Sequence, residues 1–285
     1  MKYKELYLTG VKKLEEAGIE EASLDARLLL EYVCHTDRNT LLVHPDMEVS
    51  DECVRSYVNS IKQREKRVPL QHITNTQCFM GLDFYVNQDV LIPRQDTENL
   101  VEEVMPHVHD GMAILDVCTG SGCILISLLQ YSNDCKGMGI DLSEKALAVA
   151  KKNAGKILAE KDLCVDFLQG DLFEALSGRE EKYDIIVSNP PYIPTAVIDE
   201  LEPEVKLHDP MMALDGKEDG LYFYRKIVAG AGKYLTRGGK LFFEIGYDQG
   251  EAVSNLLKDA GYTDIEIKQD YAGLDRVVFG TLLED

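Results

Sequence analysis

A run of four residues, Asn189-Pro190-Pro191-Tyr192, places two hydrogen-bond acceptors beside an aromatic ring. It follows a predicted buried strand, and two successive prolines remove two N–H donors and stiffen the turn. The side-chain oxygen of Asn189 and the carbonyl of Pro190 can then accept hydrogen bonds from a planar NH2 group, such as a carboxamide or an exocyclic base amine. Holding both hydrogens would aim the nitrogen at a methyl donor, with Tyr192 as an aromatic wall. The alternative is a rigid turn in which Tyr192 belongs only to the core.

A second segment predicts a nucleotide-like ligand. Residues 116–122 read Asp-Val-Cys-Thr-Gly-Ser-Gly after a predicted strand, and glycines there let the backbone turn sharply and approach a ligand. A dinucleotide fingerprint would have a third glycine where Leu125 stands. Asp116 would repel a pyrophosphate but pair with an ammonium group, which favours S-adenosylmethionine over NAD. The alternative role for Asp116, compatible with the first, is to cap the turn that follows.

Two further acids stand at the ends of the next predicted strands. Asp141 lies 19 residues past Gly122 and is placed to accept hydrogen bonds from ribose hydroxyls. Asp171 follows the third strand and is placed to accept one from an adenine amino group. Each acid alone is more typical of a helix cap. Because ligands bind at the carboxyl ends of strands in such sheets, three acids at successive strand ends favour a shared ligand site.

These residues lie in a region, from about residue 94 onward, where predicted strands and helices alternate. The predicted strands are 114–117, 138–141, 164–168, 184–188, 240–245, 265–268 and 276–281. The predicted helices are 123–131, one from Ser143 as its cap to 153, and 251–260. The alternation predicts the α/β fold class, with a mostly parallel, doubly wound sheet. The last two strands are joined without a helix, so one strand is expected to be antiparallel.

The rest of the chain is predicted to be a small all-helical domain over residues 1–75, with a β-hairpin linker over 76–93 before the sheet domain of 94–285. Helical spacing predicts one helix with an N-cap at Ser23 and another from Ser50 to Arg67. The hairpin turn is predicted at Asn87-Gln88, between two short alternating runs. A basic cluster in the second helix is more typical of a solvated face than of a partner contact. Its members are Lys62, Arg64, Lys66 and Arg67.

Composition narrows the function further. The 285 residues carry a net charge of −20, and residues 91–285 hold 19 basic against 35 acidic side chains, net −16. Such acidity argues against binding nucleic acid, and no apolar run approaches the roughly 20 residues of a membrane span. Seven scattered cysteines without a CxxC pair indicate neither disulfides nor zinc, and His107-Val-His109, expected to be exposed, lacks a third ligand. We expect a cytoplasmic monomer with no metal and no nucleic-acid or membrane partner.

Taken together, 116–122 and 189–192 resemble the class I S-adenosylmethionine-dependent methyltransferases that act on planar nitrogens, whose catalytic domain is Rossmann-like. Further segments are similar to the release factor glutamine methyltransferases (the PrmC/HemK family) over nearly the whole chain. These segments are 69–74, 79–84, 91–94, 96–98, 202–203, 213–214, 219–221 and 272–276. The sequence departs from the family at Cys118, where Gly is frequent, and at Leu172, where some members carry an aromatic beside the adenine. Asn75 and Gln95 also differ from the usual Gly and Pro.

The resemblance implies methyl transfer from S-adenosylmethionine, leaving S-adenosylhomocysteine, to the side-chain amide nitrogen (N5) of the Gln in the Gly-Gly-Gln loop of bacterial class I release factors 1 and 2. The helical domain would help hold the factor. Asn189, Pro190 and Tyr192 are the expected catalytic residues, and Pro191 completes the expected substrate site. The expected cofactor-binding residues are Asp116, Cys118, Thr119, Gly120, Ser121, Gly122, Asp141, Leu142, Asp171, Leu172 and Asn189.

Three other functions remain open. A methyltransferase acting on a nucleic-acid base amine would share the Asn-Pro-Pro-Tyr run, although the acidity of the sheet domain counts against it. The second function is methylation of a ribosomal-protein glutamine. The similar methyltransferases with this activity lack the Thr-Glu pair that is matched here by Thr97 and Glu98. A non-enzymatic binding module on a Rossmann-like fold is the third, because fold alone does not fix function. The roles of Arg94 and Glu244 are not assigned by the sequence, although an ion pair at the domain junction is favoured for Arg94.

Overall fold

The computed structural model describes residues 1–161 and 165–283 and forms two compact units. The helical unit comprises Met1–Thr76 and Glu202–His208, and the sheet unit comprises Gln77–Leu201 and Asp209–Asp285. The predicted boundaries at residues 75 and 93 stay predictions. Within the described residues, no helix is both long and apolar enough to cross a membrane.

The helices are α1 (Tyr3–Glu16), α2 (Ala22–Cys34), α3 (Arg38–Val43), α4 (Asp51–Glu65), α5 (Leu70–Thr74), α6 (Gln95–Val104), α7 (Cys123–Tyr131), α8 (Glu144–Ile157), α9 (Pro203–His208), α10 (Met211–Leu214), α11 (Tyr222–Ala231) and α12 (Gly250–Asp259). The strands are β1 (Thr76–Phe79), β2 (Leu82–Tyr85), β3 (Ala113–Val117), β4 (Lys136–Asp141), β5 (Val165–Gln169), β6 (Tyr183–Ser188), β7 (Leu235–Glu244), β8 (Tyr262–Gln269) and β9 (Asp275–Leu282). Cys164, which the sequence assigns to the third strand of the sheet, lies outside the described residues.

The helical unit contains the predicted helices, but one begins earlier than expected. Helix α4 begins one residue after the predicted start, because Ser50 is its N-cap, with its hydroxyl accepting from the Cys53 amide at 3.2 Å. The predicted N-cap at Ser23 is wrong, because α2 already begins at Ala22. Ala22 and Asp25 are both buried on this helix, so packing rather than a side-chain cap sets where it starts.

Arg64 corrects the expectation of a solvated basic face. Its guanidinium is buried on α4, where Nε donates to Asp25 Oδ2 at 2.6 Å and one terminal nitrogen donates to Glu204 Oε1 at 2.9 Å. Arg67 also donates to Glu204 Oε1, at 3.1 Å. A buried charge is tolerated only when it is paired, and Asp25 and Glu204 pair with Arg64. Because Glu204 lies on α9, its contacts with Arg64 and Arg67 also join α9 to the core of the helical unit. At least two members of the basic cluster are therefore internal ion-pair residues.

The hairpin exists, but its turn is not where the sequence predicts it. β1 and β2 are joined at Met80-Gly81, both with positive φ (51° and 72°), and not at Asn87-Gln88. Two-residue hairpin loops favour positive φ at both positions because this matches the twist of the strands, and Gly81 adopts it without steric cost. The segment that follows, 87–94, is not a strand.

The main sheet has the order β5-β4-β3-β6-β7-β9-β8. Its neighbours pair in parallel from β5 to β7, and β9 lies antiparallel between β7 and β8. This confirms the predicted fold class and the single antiparallel strand. Side chains alternate between the two faces, so that Leu115 and Val117 of β3 enter one apolar cluster and Ile114 the other. Residues of α11 and α12 belong to the first cluster, and residues of α6, α7 and α8 to the second.

The strand register brings five carboxyl ends to one edge of the sheet. Val117 at the end of β3 pairs with Ile140 of β4 and with Ser188 at the end of β6. Strands β4 and β5 continue the sheet on one side of β3, and β6 and β7 continue it on the other. The strand order therefore reverses at β3. In open α/β sheets the crevice at such a reversal is the usual ligand site. The loops after β3 and β6 hold the two motifs singled out from the sequence.

Ser143 caps α8 as predicted and supplies a test of this part of the fold. Its hydroxyl accepts from the Ala146 amide at 3.2 Å. We expect Ser143→Ala to lower the free energy of unfolding by about 1 kcal/mol, because the amide loses its partner. Ser254→Ala is the matched control, since the Ser254 hydroxyl is buried without a hydrogen-bond partner among the described residues. Urea unfolding of both variants measures the difference, and an unchanged Ser143→Ala midpoint would contradict it.

Candidate active site

A cleft with a volume of about 320 Å³ opens at the carboxyl ends of the strands in the sheet unit. This volume lies within the range of small-molecule sites. Most of the predicted site residues line it. They are Cys118, Thr119, Gly120, Ser121, Asp141, Leu142, Asp171, Leu172, Asn189 and Pro191. Asp116, Gly122, Pro190 and Tyr192 are not among its lining residues.

The turn after β3 has the backbone that its glycines predict. Gly120 and Gly122 have φ of 55° and 80°, where a side chain is strained. A Cβ on Gly122 would meet Ile126 Cδ1 at 2.8 Å and Ala150 Cβ at 3.2 Å, so this glycine allows α7 and α8 to pack closely. A Cβ on Gly120 would meet nothing within 4 Å. Because Gly120 lines the cleft, it leaves room there for a ligand.

Asp116 lies beneath this turn and is fully buried. Its Oδ2 accepts from the Thr119 hydroxyl at 2.6 Å, while Oδ1 has no hydrogen-bond partner among the described residues. Burial raises the pKa of Asp116 to about 7. The hydrogen bond from the Thr119 hydroxyl to Asp116 therefore holds Thr119 in the turn, which agrees with the alternative role of Asp116 as a cap of this turn. The predicted contact with a ligand ammonium stays a prediction.

Asp141, at the end of β4, joins two loops at the cleft. Its Oδ2 accepts from the Gly120 amide at 2.9 Å and its Oδ1 from the Ser143 amide at 2.8 Å. Burial raises its pKa, although these backbone hydrogen bonds favour the ionised form. Each carboxylate oxygen keeps a second lone pair, so the side chain can still accept from ribose hydroxyls. Its orientation is fixed by the fold before any ligand binds.

Asp171 and Leu172 line the cleft after β5. The Asp171 carboxylate lies 3.5 Å from Lys226 Nζ, a partly exposed pair of small energetic weight. Leu172 has a φ of 50° and is buried, which presents an aliphatic surface to the cleft. These positions agree with an adenine site, and the predicted hydrogen bond from Asp171 to the adenine amino group stays a prediction.

The Asn-Pro-Pro-Tyr turn is anchored on both sides. Asn189 Nδ2 donates to Thr97 Oγ1 at 3.3 Å, and the Tyr192 carbonyl accepts from Gln249 Nε2 at 3.0 Å. The Tyr192 hydroxyl donates to Glu244 Oε1 at 3.4 Å, and its ring packs against the apolar cluster. Burial raises the pKa of Tyr192. The predicted contact of Tyr192 with substrate stays a prediction, and the position of its ring agrees with the core alternative.

Thr97 and Glu244 each contact one end of this turn: Thr97 Oγ1 accepts from Asn189, and Glu244 Oε1 accepts from the Tyr192 hydroxyl, while Glu244 Oε2 has no hydrogen-bond partner among the described residues. Both Thr97 and Glu244 are buried. Burial raises the pKa of Glu244 to about 7. In the sequence, Thr97 stands out only through the family resemblance, and nothing assigns a role to Glu244. Neither contact is visible in the sequence, because α6, β6 and β7 are far apart along the chain.

Several lining residues were not predicted. Met212, Tyr222 and Phe223 add apolar and aromatic surface to the cleft, and the segment 89–94 contributes Arg94. A terminal nitrogen of Arg94 donates to Asp209 Oδ2 at 2.6 Å. Both partners belong to the sheet unit, so this pair does not join the two units. One signal in the sequence could have identified these residues: the neighbouring segments 91–94 and 219–221 are among those that resemble the release factor glutamine methyltransferases.

The described residues contain no group of three or more His, Cys, Asp or Glu side chains that could hold a metal ion. His109 is exposed as expected, but His107 is half-buried, which corrects the expectation for that residue. Its ring centroid lies 5.5 Å from those of Phe242 and Phe279. Burial lowers the pKa of His107, as expected for an imidazole packed against aromatic rings.

Comparison with known proteins agrees with this geometry. Residues 108–244 match the family model described as a methyltransferase domain, and residues 5–74 match the PrmC N-terminal domain. A methyltransferase structure from Pyrococcus furiosus has a TM-score of 0.53 and 16% identity, covering 72% of this chain and 91% of that one, which shows the fold. Fold and matched domain together define a Rossmann-like methyltransferase, a class that implies S-adenosylmethionine as methyl donor.

The relatives narrow the class to a family. A release factor glutamine methyltransferase from Clostridium acetobutylicum is 40% identical over 98% of each chain. Another, from Geobacter sulfurreducens, is 42% identical over 94% of this chain and 93% of its own. The chain belongs to the release factor glutamine methyltransferase family. This confirms the family that the sequence motifs resemble.

Proposed function

We propose that this chain transfers a methyl group from S-adenosylmethionine to N5 of the Gln in the Gly-Gly-Gln loop of class I release factors 1 and 2. The observation that carries the proposal is the fixed Asn189 amide, whose nitrogen is held by Thr97 at the edge of a nucleoside-sized cleft. The names of the relatives support the choice of substrate. A translation-factor substrate supports a cytoplasmic location, and a monomeric state is part of the proposal.

The residues present fit S-adenosylmethionine. Gly120 leaves open space, Asp141 presents an oriented carboxylate for the ribose, and Leu172 offers an apolar surface for the adenine. When bound, this donor supplies a methyl group on a positively charged sulfur. The chain has to orient it, and the carboxylates at the strand ends suit a ligand that carries positive charge and no phosphate.

The acceptor nitrogen is a poor nucleophile because its lone pair is delocalised into the carbonyl. Positioning for in-line attack is therefore the main contribution, and orientation can supply up to about 7–11 kcal/mol. Asn189 Oδ1 and the Pro190 carbonyl would accept the two N–H groups and stabilise the positive charge that develops on nitrogen. The N–C bond forms as the C–S bond breaks, and the N-methylated amide cation then loses its extra proton to water.

The test is methyl transfer from radiolabelled S-adenosylmethionine to three purified acceptors: a class I release factor, a ribosomal-protein fraction and a nucleic-acid sample. We expect label on the release factor alone. Label on nucleic acid or on ribosomal protein, with none on the factor, would refute the proposed substrate while keeping the methyltransferase chemistry. No label on any acceptor, despite cofactor binding, would favour a binding module.

A further inference from the structure

We propose that Tyr222, the first residue of α11, supplies the aromatic surface against which the adenine of S-adenosylmethionine packs in this protein. The inference rests on the proposed function for the identity of its ligand. It adds a binding residue that lies outside both segments, 116–122 and 189–192, from which the ligand site was predicted. The two residues already expected at the adenine, Asp171 and Leu172, are an acid and an aliphatic residue after β5.

Tyr222 belongs to the same cleft as those two residues. Tyr222, Asp171 and Leu172 all line it, although Tyr222 follows them by about 50 positions in the sequence. Tyr222 is 38% exposed, a large fraction for an aromatic residue that opens helix α11. An aromatic ring left exposed within a cleft of this size is a surface that a flat, largely apolar group of a ligand can cover.

One cation links the Tyr222 ring to the end of β5. Lys226 Nζ lies 5.0 Å from the centroid of the Tyr222 ring and 3.5 Å from Asp171 Oδ2. Lys226 follows Tyr222 by four positions on α11, so both side chains project from the same face of the helix. The ring and the carboxylate are therefore neighbours of the same ammonium group. This places Tyr222 beside the strand end where the adenine amino group is expected.

The Tyr222 ring is supported from behind before any ligand binds. Phe223 packs edge-on against it, with ring centroids 5.1 Å apart and an interplanar angle of 88°, close to the T-shaped arrangement that aromatic pairs favour. Phe223 is itself packed against the apolar cluster to which α11 and α12 contribute. A ring held in this way loses little conformational freedom when a ligand covers it, which favours affinity.

The chemistry of the neighbouring residues divides the recognition of adenine into two parts. Leu142 and Leu172 offer aliphatic contacts in the cleft but no π surface, which Tyr222 provides. Stacking on an aromatic side chain contributes affinity and tolerates any base, because every base has a π face. Asp171, as a hydrogen-bond acceptor, would distinguish the exocyclic amino group. Tyr222 therefore determines how tightly the nucleoside binds, and Asp171 which base is preferred.

The first test is calorimetric titration of Tyr222→Ala and Tyr222→Phe with S-adenosylhomocysteine. We expect Tyr222→Ala to raise Kd about 5–100-fold, through loss of stacking. Tyr222→Phe keeps the ring and should bind like the wild type. Tyr131→Ala is the matched control, because Tyr131 is an exposed tyrosine at the last position of α7 and is not among the residues that line the cleft. It should also bind like the wild type.

The second test uses fluorescence and does not depend on a loss of affinity. The chain contains no tryptophan, so Tyr222→Trp introduces a single indole. An adenine stacked on an indole quenches its emission. We therefore expect S-adenosylhomocysteine to quench Tyr222→Trp saturably and to leave Tyr131→Trp unchanged. Methionine alone, which lacks the adenine, should quench neither variant.

Lys226→Met tests whether Tyr222 acts only through its neighbour. This variant removes the charge but keeps most of the aliphatic stem. We expect a smaller rise in Kd than in Tyr222→Ala, because the pair formed by Lys226 and Asp171 is partly exposed and of small energetic weight. A rise as large as that of Tyr222→Ala would overturn the inference, since Tyr222 would then serve to place Lys226 and Asp171.

Wild-type Kd in Tyr222→Ala, or unquenched emission from a Tyr222→Trp variant that binds S-adenosylhomocysteine, would overturn the inference. Equal losses in Tyr222→Ala and Tyr222→Phe would also overturn it, since the hydroxyl and not the ring would make the contact. A raised KM for the release factor with an unchanged cofactor Kd would overturn it by assigning Tyr222 to the protein substrate.

Failure of the proposed function is distinguishable from failure of this inference. A wild type that binds S-adenosylhomocysteine but does not methylate the release factor would refute the proposed substrate, and the binding and fluorescence measurements would still decide the role of Tyr222. A wild type that does not bind S-adenosylhomocysteine would overturn both. Binding by the wild type with no effect of the Tyr222 variants would overturn this inference alone.

Discussion

Replacing Asn189 with alanine is expected to lower kcat about 10³-fold, equivalent to about 4 kcal/mol of transition-state stabilisation, while cofactor affinity is largely kept. The variant removes the acceptor that orients the substrate nitrogen and stabilises its developing charge. It leaves the turn after β3, with Gly120 and Asp141, intact. The loss should therefore appear in turnover and not in binding of the methyl donor.

Single-turnover methylation and calorimetric titration with S-adenosylhomocysteine measure the two quantities separately. Asn133→Ala is the matched control, because Asn133 is an exposed residue whose side-chain amide donates to Asp110 Oδ1 (3.4 Å), far along the chain from the Asn-Pro-Pro-Tyr turn. It should match the wild type in both measurements. Wild-type turnover in Asn189→Ala would contradict the assigned role. Loss of cofactor binding together with turnover would show that Asn189 also organises the cofactor site.

The second large effect is expected for the two glycines of the turn after β3, and it differs between them. Gly122→Ala should lower the free energy of unfolding by about 2–4 kcal/mol, because it adds a Cβ at positive φ and overlaps Ile126 and Ala150. Gly120→Ala should cost about 1 kcal/mol from its positive φ alone. Its Cβ would project into open space at the cleft, so it should raise the cofactor Kd about tenfold or more.

Urea unfolding without ligand and calorimetric titration of the two variants separate these effects, and each variant is the control for the other. The account predicts a stability loss mainly in Gly122→Ala and an affinity loss mainly in Gly120→Ala. Wild-type cofactor affinity in Gly120→Ala would mean that the ligand does not approach this part of the turn. Equal stability losses would mean that α7 and α8 can move apart to accept the new methyl group.

Local patterns were sufficient to predict the sheet and its ligand edge. Helix α7 has the predicted bounds, and Ser143 caps α8 as expected. Apolar periodicity and strand–helix alternation are local signals that tertiary packing here reinforces. The same is true of the turn at Gly120 and Gly122, whose positive φ values follow from residue type. The positions of the acids at strand ends then followed from the sheet itself.

Contacts between distant segments could not be read from the sequence. Thr97 and Asn189 are 92 positions apart, and nothing local indicates that a threonine on α6 holds the amide of a turn after β6. Arg64 belongs to a run of basic residues that is typical of a solvated helix face. Only its contacts with Asp25 and Glu204 in the structure show that it is buried. The hairpin turn was placed at the polar pair Asn87-Gln88, whereas the turn lies at Met80-Gly81, inside an apparently continuous run.

Methylation of one glutamine is tested best by locating the methyl group on the product. A class I release factor is incubated with this protein and S-adenosylmethionine, digested and sequenced by tandem mass spectrometry, beside a factor whose Gly-Gly-Gln glutamine is replaced by alanine. The account predicts one added methyl group on the side-chain amide of that glutamine and none on the alanine factor. A methyl group on any other residue, or equal methylation of both factors, would contradict it.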